Sequence, residues 1–279
     1  KRQSWPQRDA ATQKSIGLER GPMSILEKFR LDGQVAVVTG GGKGIGRAIA
    51  IGLAEAGADV AIGARTAADL EDVAREIRAR GRRALAVSTD ATSMAALETL
   101  AQRTNDELGA INIWISNAGG IPDGTPRYLT RTSEENWDAQ INLNLKSVWM
   151  GAVVAAKHMA ENGGVIINTS SRSSFGPQVK NGPYGAAKAG VNSLTSTLSR
   201  ELAPKIRVNA VAPGPIPTEN FDQCMGTEDE GRREQLREMI GIPLQRYGRE
   251  EDIAAATVFL ASPASSWVTG QCLFVTGGL

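Results

Sequence analysis

The sequence predicts an α/β fold, a doubly wound three-layer sandwich in which a seven-stranded parallel sheet lies between two layers of helices. Three observations predict it. Short apolar runs alternate along the chain with longer segments of helical period, the pattern of strands buried on both faces and joined by crossover helices. A glycine-rich stretch, TGGGKGIG at 39–46, stands between the first such run and the first helical segment. No stretch has the composition of an interdomain linker and none repeats, so residues 23–279 read as one domain, of a size that single domains commonly reach.

The elements follow in order. Residues 1–22 are polar, basic and aperiodic and lack the apolar core of a secretory signal; they read as a disordered or non-native extension. Regular patterning opens at Met23. The first strand is VAVV at 35–38, followed by a helix over 45–56. DVAIG at 59–63 and RALAV at 83–87 are the next strands, with helices at 67–80 and 92–108 behind them, and INIWIS at 111–116 is the fourth. Segment 133–161 reads as one long helix: SEEN at 133–136 supplies an N-cap and an acidic first turn, and Gly163-Gly164 ends it. Asn142 and Asn144 interrupt it. A buried amide is costly unless satisfied, so one of the two has a particular partner. GVIINTS at 164–170 is the fifth strand and precedes a helix over 184–203. IRVNAV at 206–211 is the sixth; helices at 229–240 and 250–262 lead to the last, CLFVT at 272–276.

Composition narrows the function. Lys plus Arg total 31 against 30 acids, without a basic tail, so nucleic acid is not the expected partner. Cys224 and Cys272 are the only cysteines and give neither a disulfide framework nor a metal cluster. His158 is the single histidine, which leaves no metal site of several histidines and no Ser-His-Asp triad; its place in AVVAAKHMA fits an ordinary helix-end residue. No apolar run approaches the roughly 20 residues needed to span a bilayer. The expectation is a cytoplasmic protein acting on a small molecule.

The glycine stretch is more informative. Gly40, Gly44 and Gly46 have the spacing for a tight turn, close backbone approach to a pyrophosphate, and close helix–sheet contact. The helix that follows offers unpaired N–H groups to the phosphates. No Lys-Ser or Lys-Thr follows the last glycine, so the stretch is not a mononucleotide P-loop. A Rossmann-type dinucleotide site is the reading. An acid about 20 residues beyond the glycines is the usual partner of the NAD ribose; here VAIGAR ends on Ala64 and Arg65. Arg65, assisted by Lys43, suits a 2′-phosphate, so NADP(H) is preferred, with NAD(H) the second option.

Tyr184 and Lys188 stand i,i+4 directly after Gly182-Pro183, on one face of the predicted helix. A phenol ordinarily titrates near 10, and a neighbouring cation favours the phenolate, so the pair has the types needed to supply and recover a proton. Taken alone, it fits a surface tyrosine lying on a lysine stem better.

Together these motifs resemble the short-chain dehydrogenase/reductase family, over essentially all of 31–278. TGGGKGIG is similar to its cofactor turn, with Gly40, Gly42, Lys43, Gly44, Ile45 and Gly46 as contacts, and Arg65 and Thr66 follow the second strand. TDA places Asp90 and Ala91 where the family meets the adenine ring. NAG at 117–119 resembles the end of the family's fourth strand, with Asn117, Ala118 and Gly119. PGPIPT at 213–218 resembles the segment beside the nicotinamide, implying Pro213, Gly214, Ile216 and Thr218. The resemblance selects Asn144 over Asn142, and Ser171 over Ser170, Ser173 and Ser174. It makes Asn144, Ser171, Tyr184 and Lys188 the catalytic set. It implies that Ser171 donates to the substrate oxygen and that Tyr184 exchanges the proton. Lys188 holds the nicotinamide ribose and lowers the tyrosine pKa, and Asn144 anchors a water leading to Lys188. VTGG departs from the family, with Thr276 where an Asp is usual.

The resemblance also implies a substrate lid near 215–240 and a homo-oligomer, tetramer favoured over dimer. Ser171, Ser173, Phe175, Tyr184, Pro215, Phe221 and Met225 are the implied substrate contacts, with GIPDGTPRYLTRTS at 120–133 as a second rim loop. Three functions stay open. One is reduction of a ketone or a 3-oxoacyl thioester, carried by coenzyme A or by an acyl-carrier protein for which Arg200 is a docking candidate. Another is dehydrogenation of a hydroxysteroid, sugar or other secondary alcohol. The third is a catalytically silent NADP-binding regulatory protein.

Overall fold

The structure, a computed structural model, describes residues 24–227 and 229–279. The extension at 1–22 and Met23 lie outside the described residues. Seven strands form one sheet: β1 (Val35–Thr39), β2 (Asp59–Ala64), β3 (Ala84–Ser88), β4 (Ile113–Ser116), β5 (Gly164–Thr169), β6 (Ile206–Pro213) and β7 (Cys272–Val275). All pairings are parallel, in the order β3-β2-β1-β4-β5-β6-β7. The helices are α1 (Gly44–Glu55), α2 (Ala67–Ala79), α3 (Met94–Glu107), α4 (Glu134–Ile141), α5 (Ser147–His158), α6 (Gly182–Glu201), α7 (Glu219–Met225), α8 (Glu230–Ile240) and α9 (Glu250–Ala261).

The apolar runs become strands because both faces of the sheet are covered. Side chains alternate across a strand, and in β1 Ala36 and Val38 join the cluster that packs α1, α2 and α9, while Val35 and Val37 join the one under α3 and α5. In β4 the same alternation sends Ile113 and Ile115 one way and the fully buried Trp114 the other. The chain winds outward from β1 through β2 to β3, then returns and winds the opposite way from β4 to β7. The reversal between β1 and β4 opens a crevice at their C-terminal ends, where ligands of this architecture bind.

The seven strands and the predicted helices lie within two residues of expectation, with two differences. The segment 133–161 is not one helix. After α4, residues Asn142–Lys146 form a π-helical turn, and α5 begins at Ser147. The region 215–240 holds two helices, of which only the second was expected: Thr218 Oγ1 accepts from Phe221 N at 3.2 Å to start α7, and Gly226, at φ 63°, ends it. His158 lies at the end of α5, its ring bonded to Asn105 Nδ2 at 2.8 Å and Glu98 Oε1 at 2.9 Å, which ties α5 to α3. No helix of the described residues is long and apolar enough to cross a membrane.

Candidate active site

The glycine turn is built by close packing. Gly40 and Gly44 have φ 66° and 55°, a region that side chains with a Cβ rarely adopt. A Cβ at Gly46 would lie 2.0 Å from the Gly40 carbonyl oxygen and 2.5 Å from Asn117 Nδ2. Asn117 Nδ2 donates to Gly40 O at 3.2 Å, and Thr39 Oγ1 accepts from the backbone N–H groups of Asn117 and Ala118 at 3.1 and 3.2 Å. The end of β1 is thereby stitched to the end of β4, and the N-terminus of α1 opens toward the crevice.

A cavity of about 840 Å³ fills that crevice. Of the residues expected at the cofactor, Gly40, Gly42, Lys43, Gly44, Ile45, Gly46, Arg65, Thr66, Asp90, Ala91, Asn117, Ala118, Gly119, Tyr184, Lys188 and Thr218 line it. Pro213, Gly214 and Ile216 do not. Pro213 is buried at the end of β6, while Gly214 and Ile216, together with Pro215, line a separate cavity of about 190 Å³ beside Leu244 and Thr276. The cause is packing: Gly214 N donates to Val275 O at 2.9 Å, drawing the segment toward β7. The sequence reading missed Asn142 and Leu143 in the π turn and Glu219 and Gln223 on α7, all of which line the larger cavity.

Charges at the glycine-turn end of the cavity differ in their freedom. Lys43 lies 3.6 Å from Asp69 and 3.5 Å from Glu219, so it joins the glycine turn to both α2 and α7. Arg65 is exposed and takes part in no ion pair among the described residues. Asp90 accepts from Thr92 N at 2.9 Å and Thr92 Oγ1 at 2.7 Å, bonds that hold its carboxyl below the usual range, with Arg65 adding to the effect.

At the other end of the cavity stand Tyr184 and Lys188, on the first turns of α6. Lys188 is buried, its Nζ donating to Thr169 O at 2.8 Å, and lies 5.7 Å from the centre of the Tyr184 ring. Burial lowers its pKa from 10.5 to about 8. Burial raises the Tyr184 phenol above its ordinary value; the adjacent Ser171 hydroxyl works the other way, and the Cys224 thiol of α7 raises it further. Lys188, expected to depress the tyrosine, is not among the groups that shift it here. Desolvation is the largest cause, and the phenol, raised above its ordinary value, keeps its proton at neutral pH.

The serines sort by their partners. Ser170 is buried and donates to Asn192 Oδ1 at 2.6 Å; Ser174 donates to Ser171 O at 2.6 Å. Ser171, half-buried, accepts from Ser173 N at 3.1 Å and stands beside the phenol. Asn144 is fully buried within the π turn. Its Oδ1 accepts from Gly120 N at 3.0 Å, and its Nδ2 donates to Gly120 O at 2.8 Å and to Gln140 O at 3.1 Å. The interruption of the helix is thus a loop clamp. It fixes the Gly119–Gly120 backbone, where an added Cβ at Gly119 would lie 3.0 Å from Asn144 Oδ1 and 3.3 Å from Lys188 Nζ. On the expected substrate side, Phe221 meets Tyr247 edge-on at 5.9 Å and Met225 is half-exposed. Phe175 is 80% exposed and turned to Phe274 at 6.2 Å, away from the cavity lining.

A buried ammonium is costly to the fold. From pH 8 to 10.5 the unfolded chain holds the Lys188 proton while the folded chain has released it, so stability rises with pH across that window; below it the full penalty applies. The displacement is worth about 3 kcal/mol. Loss of the bond to Thr169 offsets about 1–2 kcal/mol of this. Lys188→Met is therefore expected to melt higher than wild type at pH 7, with the advantage shrinking toward pH 10.5. Thermal melts at several pH values check it, and a lower melting temperature at pH 7 would contradict the assignment.

Comparison with known proteins places this arrangement among related chains. A family model described as Enoyl-(Acyl carrier protein) reductase matches residues 40–279. An uncharacterized oxidoreductase of Mycobacterium tuberculosis is 41% identical over 259 residues, covering 91% of this chain and 95% of that protein. The 2-dehydro-3-deoxy-D-gluconate 5-dehydrogenase of Escherichia coli is 38% identical, over 91% and 98% of the two chains. The structure of a 7α-hydroxysteroid dehydrogenase complexed with NADH and 7-oxo glycochenodeoxycholic acid superposes with a TM-score of 0.83 at 36% identity, over 91% of this chain and 96% of that one.

Proposed function

Because the chain belongs to the short-chain dehydrogenase/reductase family, we propose that it transfers a hydride between NADP(H) and a carbonyl or secondary-alcohol substrate, working as a reductase of a ketone or a 3-oxoacyl thioester. The observation that carries this reading is one cavity with a phosphate-ready glycine turn at one end and the Tyr184–Lys188 pair, beside Ser171, at the other. The turn fits a dinucleotide: Gly46 leaves no room for a Cβ, and the N-terminus of α1 faces the cavity. Arg65, in no ion pair among the described residues, favours a 2′-phosphate.

The nicotinamide, when bound, supplies or takes up the hydride. In reduction, the substrate carbonyl oxygen accepts a hydrogen bond from Ser171 Oγ and takes the proton from Tyr184 Oη, so that hydride on carbon and proton on oxygen give the alcohol. The raised phenol pKa suits a proton donor. Lys188 Nζ holds a ribose hydroxyl, and Asn144 keeps the Gly119–Gly120 backbone in place beside it. A second reading, dehydrogenation of a sugar acid or hydroxysteroid, draws on the names of the two enzymes above. A homo-oligomer, tetramer before dimer, accompanies the proposal: Trp149 and Val153 on α5 and Leu273 and Phe274 on β7 leave apolar side chains exposed.

The cofactor assignment is testable by titration. Wild type is expected to bind NADPH more tightly than NADH, and Arg65→Asp to erase or invert the preference by placing a like charge against the phosphate. Equal affinity of wild type for both cofactors would defeat it. A panel of ketones, acyl thioesters, steroids and sugar acids, followed by NADPH absorbance, then separates the substrate classes.

A further inference from the structure

The loop that carries the cavity-lining Gly120 and Pro122 also carries, outside the lining, a feature that hydride transfer itself does not use. Tyr128, half-exposed on the 120–133 loop, has two cations on its ring: Lys180 Nζ at 5.4 Å from the ring centre and Arg131 Cζ at 5.9 Å. Neither takes part in an ion pair among the described residues, whereas Arg127, in the same loop, is paired with Asp123 at 2.6 Å. Two like charges gathered on one aromatic ring repel each other, and an anion between them relieves that repulsion. The placement is also held by the backbone. Lys180 has φ 65°, uncommon for a residue with a side chain, and its carbonyl accepts from Arg127 N at 3.1 Å. Leu129 fills the space over Gly182, with Leu129 Cδ1 2.8 Å from where a Cβ would stand.

The loop is therefore pinned to the entry of α6, two residues before Tyr184. Four peptide steps separate Lys180 from Tyr184, so their Cα atoms are at most about 14 Å apart. Pro122 of the same loop lines the cavity, and Gly124 lies against Cys224 of α7.

We propose that Tyr128, Arg131 and Lys180 form a docking site for an anionic group of the substrate, so that the compound reduced carries a carboxylate or phosphate a few bonds from its carbonyl. This rests on the reductase reading above. The ring orients the two cations, which hold the anion, and Tyr184 then meets the carbonyl at the other end of the same molecule.

The test uses the full chain with NADPH and a matched pair of probes, 5-oxohexanoate and its methyl ester. Wild type is expected to reduce the acid with the higher kcat/KM, and added salt to raise KM for the acid alone. The Lys180→Asn/Arg131→Gln double variant, in which Asn tolerates the positive φ, is expected to raise KM for the acid about tenfold and leave the ester unchanged; Lys180→Arg restores the acid. Competition by acetate against inorganic phosphate tells a carboxylate site from a phosphate site. An acid-to-ester ratio equal in wild type and double variant overturns the docking site while leaving the reductase reading intact. If neither probe is reduced, calorimetry of 5-oxohexanoate binding reads the docking alone. Binding lost in the double variant upholds the site and counts against the reductase reading; no difference overturns the site.

Discussion

Tyr184→Phe is expected to lower turnover on a carbonyl substrate by about 10²–10⁴-fold, the usual worth of a positioned acid. The ring stays, so packing beside Ser171 and the contact with Lys188 are kept, and only the Oη proton is lost. NADPH affinity and the thermal melt should be close to wild type. Lys188→Ala differs, since on the proposed reading it removes the group that holds the ribose beside the phenol, and it is expected to weaken cofactor binding as well as turnover. The two losses should not add in the double variant, because the residues act as a unit. The pH profile of reduction bears on the same assignment: burial holds the phenol protonated, so activity is not limited by its loss of a proton below pH 10. The ammonium, displaced to about 8, is the group whose titration limits the alkaline side, although the coupled pair titrates as one. A folded Tyr184→Phe enzyme with wild-type turnover would falsify the proton-donor role.

The second large effect is expected at Gly46. An alanine there puts a methyl group 2.0 Å from the Gly40 carbonyl oxygen, a backbone atom that has no rotamer by which to yield. Either α1 retreats from the turn or the turn opens, and both separate the α1 N-terminus from Gly40 and Asn117. Overpacking of this kind costs about 1–3 kcal/mol or more, which for a domain of this size is about 3–10 °C in melting temperature. Dinucleotide affinity should fall by at least about 100-fold, since the phosphate-facing N–H groups lose their arrangement. Gly46→Ala with both the melt and the NADPH dissociation constant of wild type would show that the turn has slack the contacts deny.

Much of this was legible in the sequence because its signals are local. A strand buried on both faces must be largely apolar, so VAVV and VII declare themselves, and their placement against helices of period 3.6 leaves little choice of architecture. The glycine turn is likewise local, its demand for missing side chains met within eight residues. What was not legible is set by contacts between distant segments. That Asn144 clamps Gly120 depends on a loop 24 residues away. Gly214, Pro215 and Ile216 follow the family's pattern along the chain, yet whether they face the larger cavity is decided by a bond from Gly214 to β7. The raised phenol pKa depends on desolvation by its whole surroundings, which an i,i+4 spacing to a lysine does not encode. The cations on Tyr128 come from two loops some 50 residues apart in sequence, about the separation of residues 128 and 180.

The π turn at Asn142–Lys146 amounts to one residue more than an uninterrupted helix would hold. Each residue of an α-helix turns the chain by about 100°, so the extra one sets the rotational phase of α5 against α4. Met150 and Val154 point into the sheet only in that phase, and Trp149 and Val153 outward. A substitution on the exposed face of 134–158 leaves that phase unchanged, but a deletion there rotates everything downstream. The clamp that holds the active-site loop and the inward face of α5 are in this sense a single inherited count of residues.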